Sequence, residues 1–222
     1  MLYSHSDSLS LISYRGGFDI PKDTFLHLDA EKRVQIELIL LDVLYDQPLS
    51  QVKVSEIISL MNMSRGAFYK YFKDLADAND YLISTVARAI HIDIMQHIQQ
   101  SENALFDGIA NYLKEISHLD HQDIRWKQIK FLTGSDQLIF SRRRKVPSES
   151  KMFDHWFSIL EKNHLDISNK KEAMSFLYFV MSLVTNSLTE FIANEWDSQT
   201  LLLEYNRKIS WLLHGLNNTK GE

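Results

Sequence analysis

Arg65, Tyr69, Lys70, Tyr71 and Lys73 crowd into little more than two helical turns that also hold Ser64 and Gly66. These are hydrogen-bond donors and cations with no acid among residues 64–73, in a chain whose net charge is −5. Cations and hydroxyls in that arrangement suit phosphate oxygens, which fix register, and the edges of bases, which carry sequence. Arg65 is the candidate for base readout, because a guanidinium can give two hydrogen bonds to guanine. Tyr69, Tyr71, Lys53, Lys70 and Lys73 suit phosphates. Gly66 and Ala67 keep the helix slim enough to approach a groove.

Other groups with chemical potential are weaker. Glu115 and His118 have the three-residue spacing of a carboxylate-bridged metal helix, with His121 and Asp123 following and Asp93 and His97 one turn apart, yet no second copy of the motif accompanies them. No metal site is expected. Arg142-Arg143-Arg144-Lys145 is the densest cationic run and reads as a solvated helix end or loop. No catalytic triad, nucleophile elbow or paired-carboxylate site is visible, so the chain is not expected to be an enzyme, and no cofactor is implied. The sequence has no cysteine, which excludes disulfides and thiolate ligands and suits a cytoplasmic location.

The elements that must position the first group are helical. With 3 prolines and 7 glycines in 222 residues, long stretches lack any breaker, and an all-α fold follows. Asp29 caps a helix running to about Tyr45, with Val34, Leu38, Leu41 and Leu44 inward, and Pro48 lies just beyond its end. A second helix turns Val54, Ile57, Ile58 and Met61 inward. Asn62 takes the tight turn, where asparagine tolerates a left-handed backbone, and Ser64 caps the third helix. Phe68 and Phe72 share a face and complete the core. This is the layout of a helix-turn-helix, a device that lays one helix in the DNA major groove.

Met1 to Leu28 keeps no helical period and reads as a poorly ordered arm, residues 1–28. Residues 29–77 form the head. Residues 78–222 form a larger helical body, with helices expected to about Gln100, then at residues 103–117, 121–132, 148–163, 170–194 and 199–216. In the penultimate helix Met174, Leu177, Met181, Val184, Leu188 and Phe191 make a continuous seam, with a second stripe of Phe176, Val180 and Leu183. The last helix repeats it with Leu202, Tyr205, Ile209 and Leu212. A helix apolar on two faces must be covered twice, by a partner copy, a thick core or a ligand cavity. The least polar stretch, residues 173–188, carries serines, a threonine and an asparagine and falls short of a membrane span, so no membrane association is expected.

The stretch from Glu31 to Phe72 resembles the DNA-binding domain of the TetR family of bacterial transcriptional regulators. The likeness rests on Ile57-Ile58, on Ser64 opening the third helix, and on Gly66-Ala67-Phe68-Tyr69-Lys70-Tyr71-Phe72. Asn62 stands where the family usually has glycine, Lys53 where it often has threonine, and Leu75 where a lysine is common. The resemblance implies a homodimer that reads a palindromic double-stranded operator and acts as a repressor released by a small-molecule effector. It implies DNA contacts at Lys53, Ser64, Arg65, Gly66, Tyr69, Lys70, Tyr71 and Lys73. The dimer would form through the last two helices, for which Met174, Leu177, Met181, Val184, Leu188, Phe191, Leu202, Tyr205, Ile209 and Leu212 are the candidates. The alternative it leaves open is a ligand- or partner-binding co-regulator whose helix-turn-helix no longer binds DNA.

Overall fold

Side-chain caps start several of the helices, as local chemistry requires for a chain built from helices alone. Asp29 accepts the Lys32 N–H, Ser64 that of Ala67, Asn169 that of Glu172 and Asp197 that of Thr200. The computed structural model describes residues 21–102, 104–134 and 151–215. Its order is α1 (Asp23–Leu26), α2 (Ala30–Leu44), a 3-10 turn (Leu49–Gln51), α3 (Val54–Leu60), α4 (Arg65–Tyr71) and α5 (Leu75–Gln100). There follow α6 (Leu105–Ile116), α7 (Ile124–Thr133), α8 (Lys151–Lys162), α9 (Lys170–Ala193) and α10 (Ser198–His214). The described residues contain no strand. Residues 1–20 of the expected arm, the Arg142–Lys145 run and Leu216 lie outside the described residues.

Two compact units emerge: Met1–Arg88 with Lys130–Gly134, and Ala89–Ile129 with Ser135–Glu222. The expected boundary after residue 77 falls inside α5, which continues without a break, and the first unit extends to Arg88.

In the first unit α3 packs on α2 and α4, with Ile57, Phe68 and Phe72 fully buried. Asn62 takes the left-handed turn at φ 47°. The inner face of α2 differs from the one expected. Ile36, Leu40 and Leu44 are buried with Leu41 and Val43, while Leu38 is 39% exposed. The helix is apolar on adjacent faces, so period alone does not choose between neighbouring stripes. The end of the expected arm is also part of the head. Phe25 of α1 is fully buried, its ring centre 4.9 Å from that of Phe72 and 5.0 Å from that of Tyr81.

In the second unit α6 turns Leu105, Ile109, Tyr112, Leu113 and Ile116 inward and packs against α9 and α10. The Tyr205 hydroxyl donates to the Phe106 carbonyl at 3.0 Å, and Trp156 Nε1 to the Ala173 carbonyl at 2.9 Å. Both ties satisfy polar atoms that would otherwise be buried without a partner. The seam expected to face a partner is largely inside one chain: Leu177, Val184, Leu188, Phe191, Tyr205 and Ile209 are buried, and Met174, Met181 and Leu202 half-buried. Val180 of the second stripe is buried as well. Phe176 and Leu183 of that stripe are half-buried. Leu212, at 39%, is the exposed member of the expected set.

By length and composition α9 could cross a membrane, with a mean hydropathy of 1.4 over its most apolar window, more than the residue count suggested. Of that window 33% is buried within this chain, and Phe179 is among its exposed residues. The inner stripe is buried, and Ser175, Ser182 and Asn186 lie on the opposite, exposed side.

Candidate nucleic-acid interface

The burial pattern of α4 divides its residues cleanly. Phe68 is buried and Ala67 and Tyr71 half-buried, whereas Arg65, Gly66, Tyr69 and Lys70 are exposed. The exposed residues follow an i, i+1, i+4, i+5 spacing, which is one helical face. The Arg65 guanidinium lies 5.8 Å from the centre of the Tyr69 ring, so a cation and a phenol are held together on that face. A Cβ built on Gly66 would meet nothing nearer than Ser64 Oγ, 3.8 Å away, so this flank of the helix is open.

The other expected contacts divide by task. Ser64 Oγ accepts the Ala67 N–H at 3.2 Å and so caps α4. Lys53 precedes α3 and is exposed, with no capping bond of its own. Lys73 is exposed, and its backbone N–H donates to Asp77 Oδ2 at 2.7 Å, fixing the turn from α4 into α5. Tyr71 does not join the exposed face. Its ring meets Phe25 edge-on at 5.8 Å, because position 71 falls on the core-facing side that Phe68 defines.

One functional feature was not read from the sequence. A helix as short as α4 leaves its last carbonyls without helical partners. Lys22 and Thr24 supply them. Lys22 Nζ donates to the Tyr69 carbonyl at 2.7 Å, the Lys22 N–H to that of Tyr71 at 3.0 Å, and the Thr24 hydroxyl to that of Lys70. Lys22 thereby becomes an exposed cation at the end of the exposed face. In the sequence, Pro21 followed by Lys22 and Asp23 is a helix-start pattern that marks this segment.

The histidines weighed as metal ligands have other partners. His97 meets the Asp93 carbonyl through Nδ1 at 2.9 Å and Glu115 through Nε2 at 2.8 Å, and Arg125 pairs with both Glu115 and Asp93. The hydrogen bond from Arg125, then that from His97, holds the Glu115 carboxyl below its ordinary range. His121 stacks on Trp126 at 4.4 Å. Among the described residues no group of three metal-ligating side chains forms.

An all-helical chain with a helix-turn-helix head and a larger helical body has the architecture of transcriptional regulators. The model of the tetracyclin repressor-like C-terminal domain matches residues 104–216, just over half of the chain. The chain belongs to the TetR family of transcriptional regulators. That match covers the body, whereas the residue resemblance lies in the head, so the two supports are independent. The chain is also similar to a solved TetR family transcriptional regulator from Chloroflexus aurantiacus J-10-FL. The two share 18% identity over 87% of this chain and 90% of that one, at a TM-score of 0.43. A likeness that loose adds nothing to the assignment. No curated protein matches the chain.

Proposed function

We propose that this regulator binds a palindromic duplex operator as a homodimer, in the cytoplasm, and represses until a small molecule bound in the helical body changes the spacing of its heads. The observation that carries this reading is the exposed, acid-free face of Arg65, Gly66, Tyr69 and Lys70 on α4; Lys53 and Lys73 are exposed as well. Net charge makes the argument sharper. In a chain of net −5, a local cationic face is what DNA would select.

A dimer presents two reading helices to successive major grooves, so their separation must match about 34–36 Å or a multiple of it. A ligand acts only through different affinities for the two spacings. The pairing surface falls on sides of α9 and α10 that one chain leaves uncovered, where Phe179 is 44% exposed and Leu203 and Trp211 are each 52% exposed. Apolar side chains left uncovered on adjacent helices mark a partner surface.

Selection of bound duplexes from a random pool at several salt concentrations tests the reading. The expected result is a palindrome whose binding weakens steeply with salt. Failure to enrich any sequence at low salt would overturn it in favour of a co-regulator with a silent helix-turn-helix.

A further inference from the structure

A helix ends on carbonyl oxygens that no later N–H of the helix satisfies, and these carry the negative end of its dipole. At the end of α4 they belong to Tyr69, Lys70 and Tyr71, next to the exposed face of Arg65, Gly66, Tyr69 and Lys70. Left bare, they would repel a phosphate arriving at that end of the helix. Each has a donor instead. The Lys22 N–H reaches the Tyr71 carbonyl at 3.0 Å, the Thr24 hydroxyl that of Lys70, and the Lys22 ammonium that of Tyr69 at 2.7 Å.

The ammonium differs in kind from the other two donors. A helix end equivalent to about half a negative charge receives a whole positive one, so the sign at that end of α4 is reversed. Lys22 is exposed and forms no ion pair among the described residues, Asp23 included. An ammonium has N–H groups beyond the one committed to Tyr69, and these are open to an acceptor from solvent.

The charge is also held still. Pro21 before it is buried, Phe25 after it is fully buried, and its own backbone is tied to α4. The ammonium groups of Lys53, Lys70 and Lys73 have no hydrogen-bond partner among the described residues. They must be ordered when they bind, whereas Lys22 is ordered beforehand and loses less freedom.

We propose that Lys22 is a phosphate contact of the nucleic-acid interface: its ammonium, held on the Tyr69 carbonyl, takes a backbone phosphate of the duplex at the C-terminal end of α4 and fixes the register of that helix. This rests on the operator-binding reading above and adds to it a residue from outside the helix-turn-helix.

Duplex binding by the full chain over a range of salt tests it, with the operator recovered by selection and a random duplex of equal length. Lys22→Gln keeps a donor for the Tyr69 carbonyl and removes the charge. It is expected to weaken binding to both duplexes by a similar factor, to lower the salt slope by about one, and to leave the preference between them unchanged. Lys22→Arg should restore the slope. An unchanged slope in Lys22→Gln would overturn the assignment and leave Lys22 a helix cap alone. Should Lys22→Gln melt below the wild type, acetylation of the wild-type chain takes its place. Duplex is expected to protect Lys22, and equal labelling with and without duplex overturns the contact. Lys70→Ala separates this inference from the reading beneath it. If Lys70→Ala lowers the slope and Lys22→Gln does not, the Lys22 contact alone fails; if the wild type binds no duplex at low salt, both fall.

Discussion

Lys22 Nζ donates to the Tyr69 carbonyl at 2.7 Å, so a residue that precedes the first helix closes the end of the proposed reading helix. The contact joins residues 47 positions apart and is anchored by Phe25, whose ring is fully buried against Phe72 and Tyr81. Truncating a buried phenylalanine typically costs about 3–5 kcal/mol. Phe25→Ala is expected to lower the urea midpoint of the first unit by a corresponding amount, and operator affinity should fall with it. A wild-type midpoint would mean that the segment does not hold the head.

Arg65 and Lys70 share a face but should act differently. Arg65→Ala is expected to relax sequence preference by roughly 1–3 kcal/mol at one operator position. Lys70→Ala should weaken binding to all duplexes alike and reduce the salt slope by about one. Competition binding with single-base operator variants distinguishes them. If Arg65→Ala keeps the wild-type preference, base readout belongs to another residue.

Two glycines give opposite expectations for the same change. A Cβ on Gly108 would lie 2.4 Å from Ile98 Cα and 2.7 Å from Ile98 N, so α5 and α6 would have to separate. Gly108→Ala should therefore cost about 1–3 kcal/mol, in the range of core overpacking. At Gly66 the space is open, and alanine should stabilise the helix by about 0.5–1 kcal/mol. Yet Gly66→Ala adds a methyl to the proposed DNA-facing flank and should weaken operator binding. Thermal melts and binding assays on the pair test this. A Gly66→Ala protein that binds DNA like wild type would take that flank out of the groove.

How much of this was legible depends on how local each signal is. Asn62, Ser64, Phe68 and Phe72 specify the helix-turn-helix within a dozen residues, and the structure uses each as its type suggests. Helix extents were legible for the same reason, since caps and breakers act over a few positions. What was not legible needed a neighbour from elsewhere in the chain. Leu38 and Ile36 are both apolar, and only the helices packed on α2 decide which is inside. Phe25 finds its partner 47 positions away at Phe72. His91 carries no motif at all; its interest comes from helices that enclose its ring.

That enclosure predicts a pH effect. The free imidazole takes a proton near 6.5 and the folded one near 4. Between those values the unfolded chain binds a proton that the folded chain does not, so stability rises with pH across the window and is lost as pH falls through it. The loss by pH 4 is on the order of 3 kcal/mol. No titratable side chain joins His91 in lining the small cavity beside it, which Met95, Trp156, Leu177 and Met181 complete. His91→Leu should flatten the stability profile between pH 6.5 and 4, measured by urea melts. The loss tied to Glu115, whose pKa is depressed from 4.5, should appear only at lower pH and persist in the variant. An unaltered slope above pH 5 in His91→Leu would show that other groups set it.

The last two helices allow stability and pairing to be tested apart. Leu188 is 3% exposed within one chain, so Leu188→Ala should lower stability by about 2–5 kcal/mol while leaving the protein dimeric. Trp211 and Leu203, each 52% exposed, lie on the proposed pairing surface. An aspartate there would be buried without a partner in the dimer but solvated in the monomer, so the equilibrium must move toward the monomer. Trp211→Asp and Leu203→Asp are expected to sediment as monomers at concentrations where the wild type is dimeric, and to bind half-sites weakly. Because dimerisation stabilises by mass action, their melting should also lose its dependence on protein concentration. Dimers of wild-type mass in both variants would move the pairing surface off this side of α10.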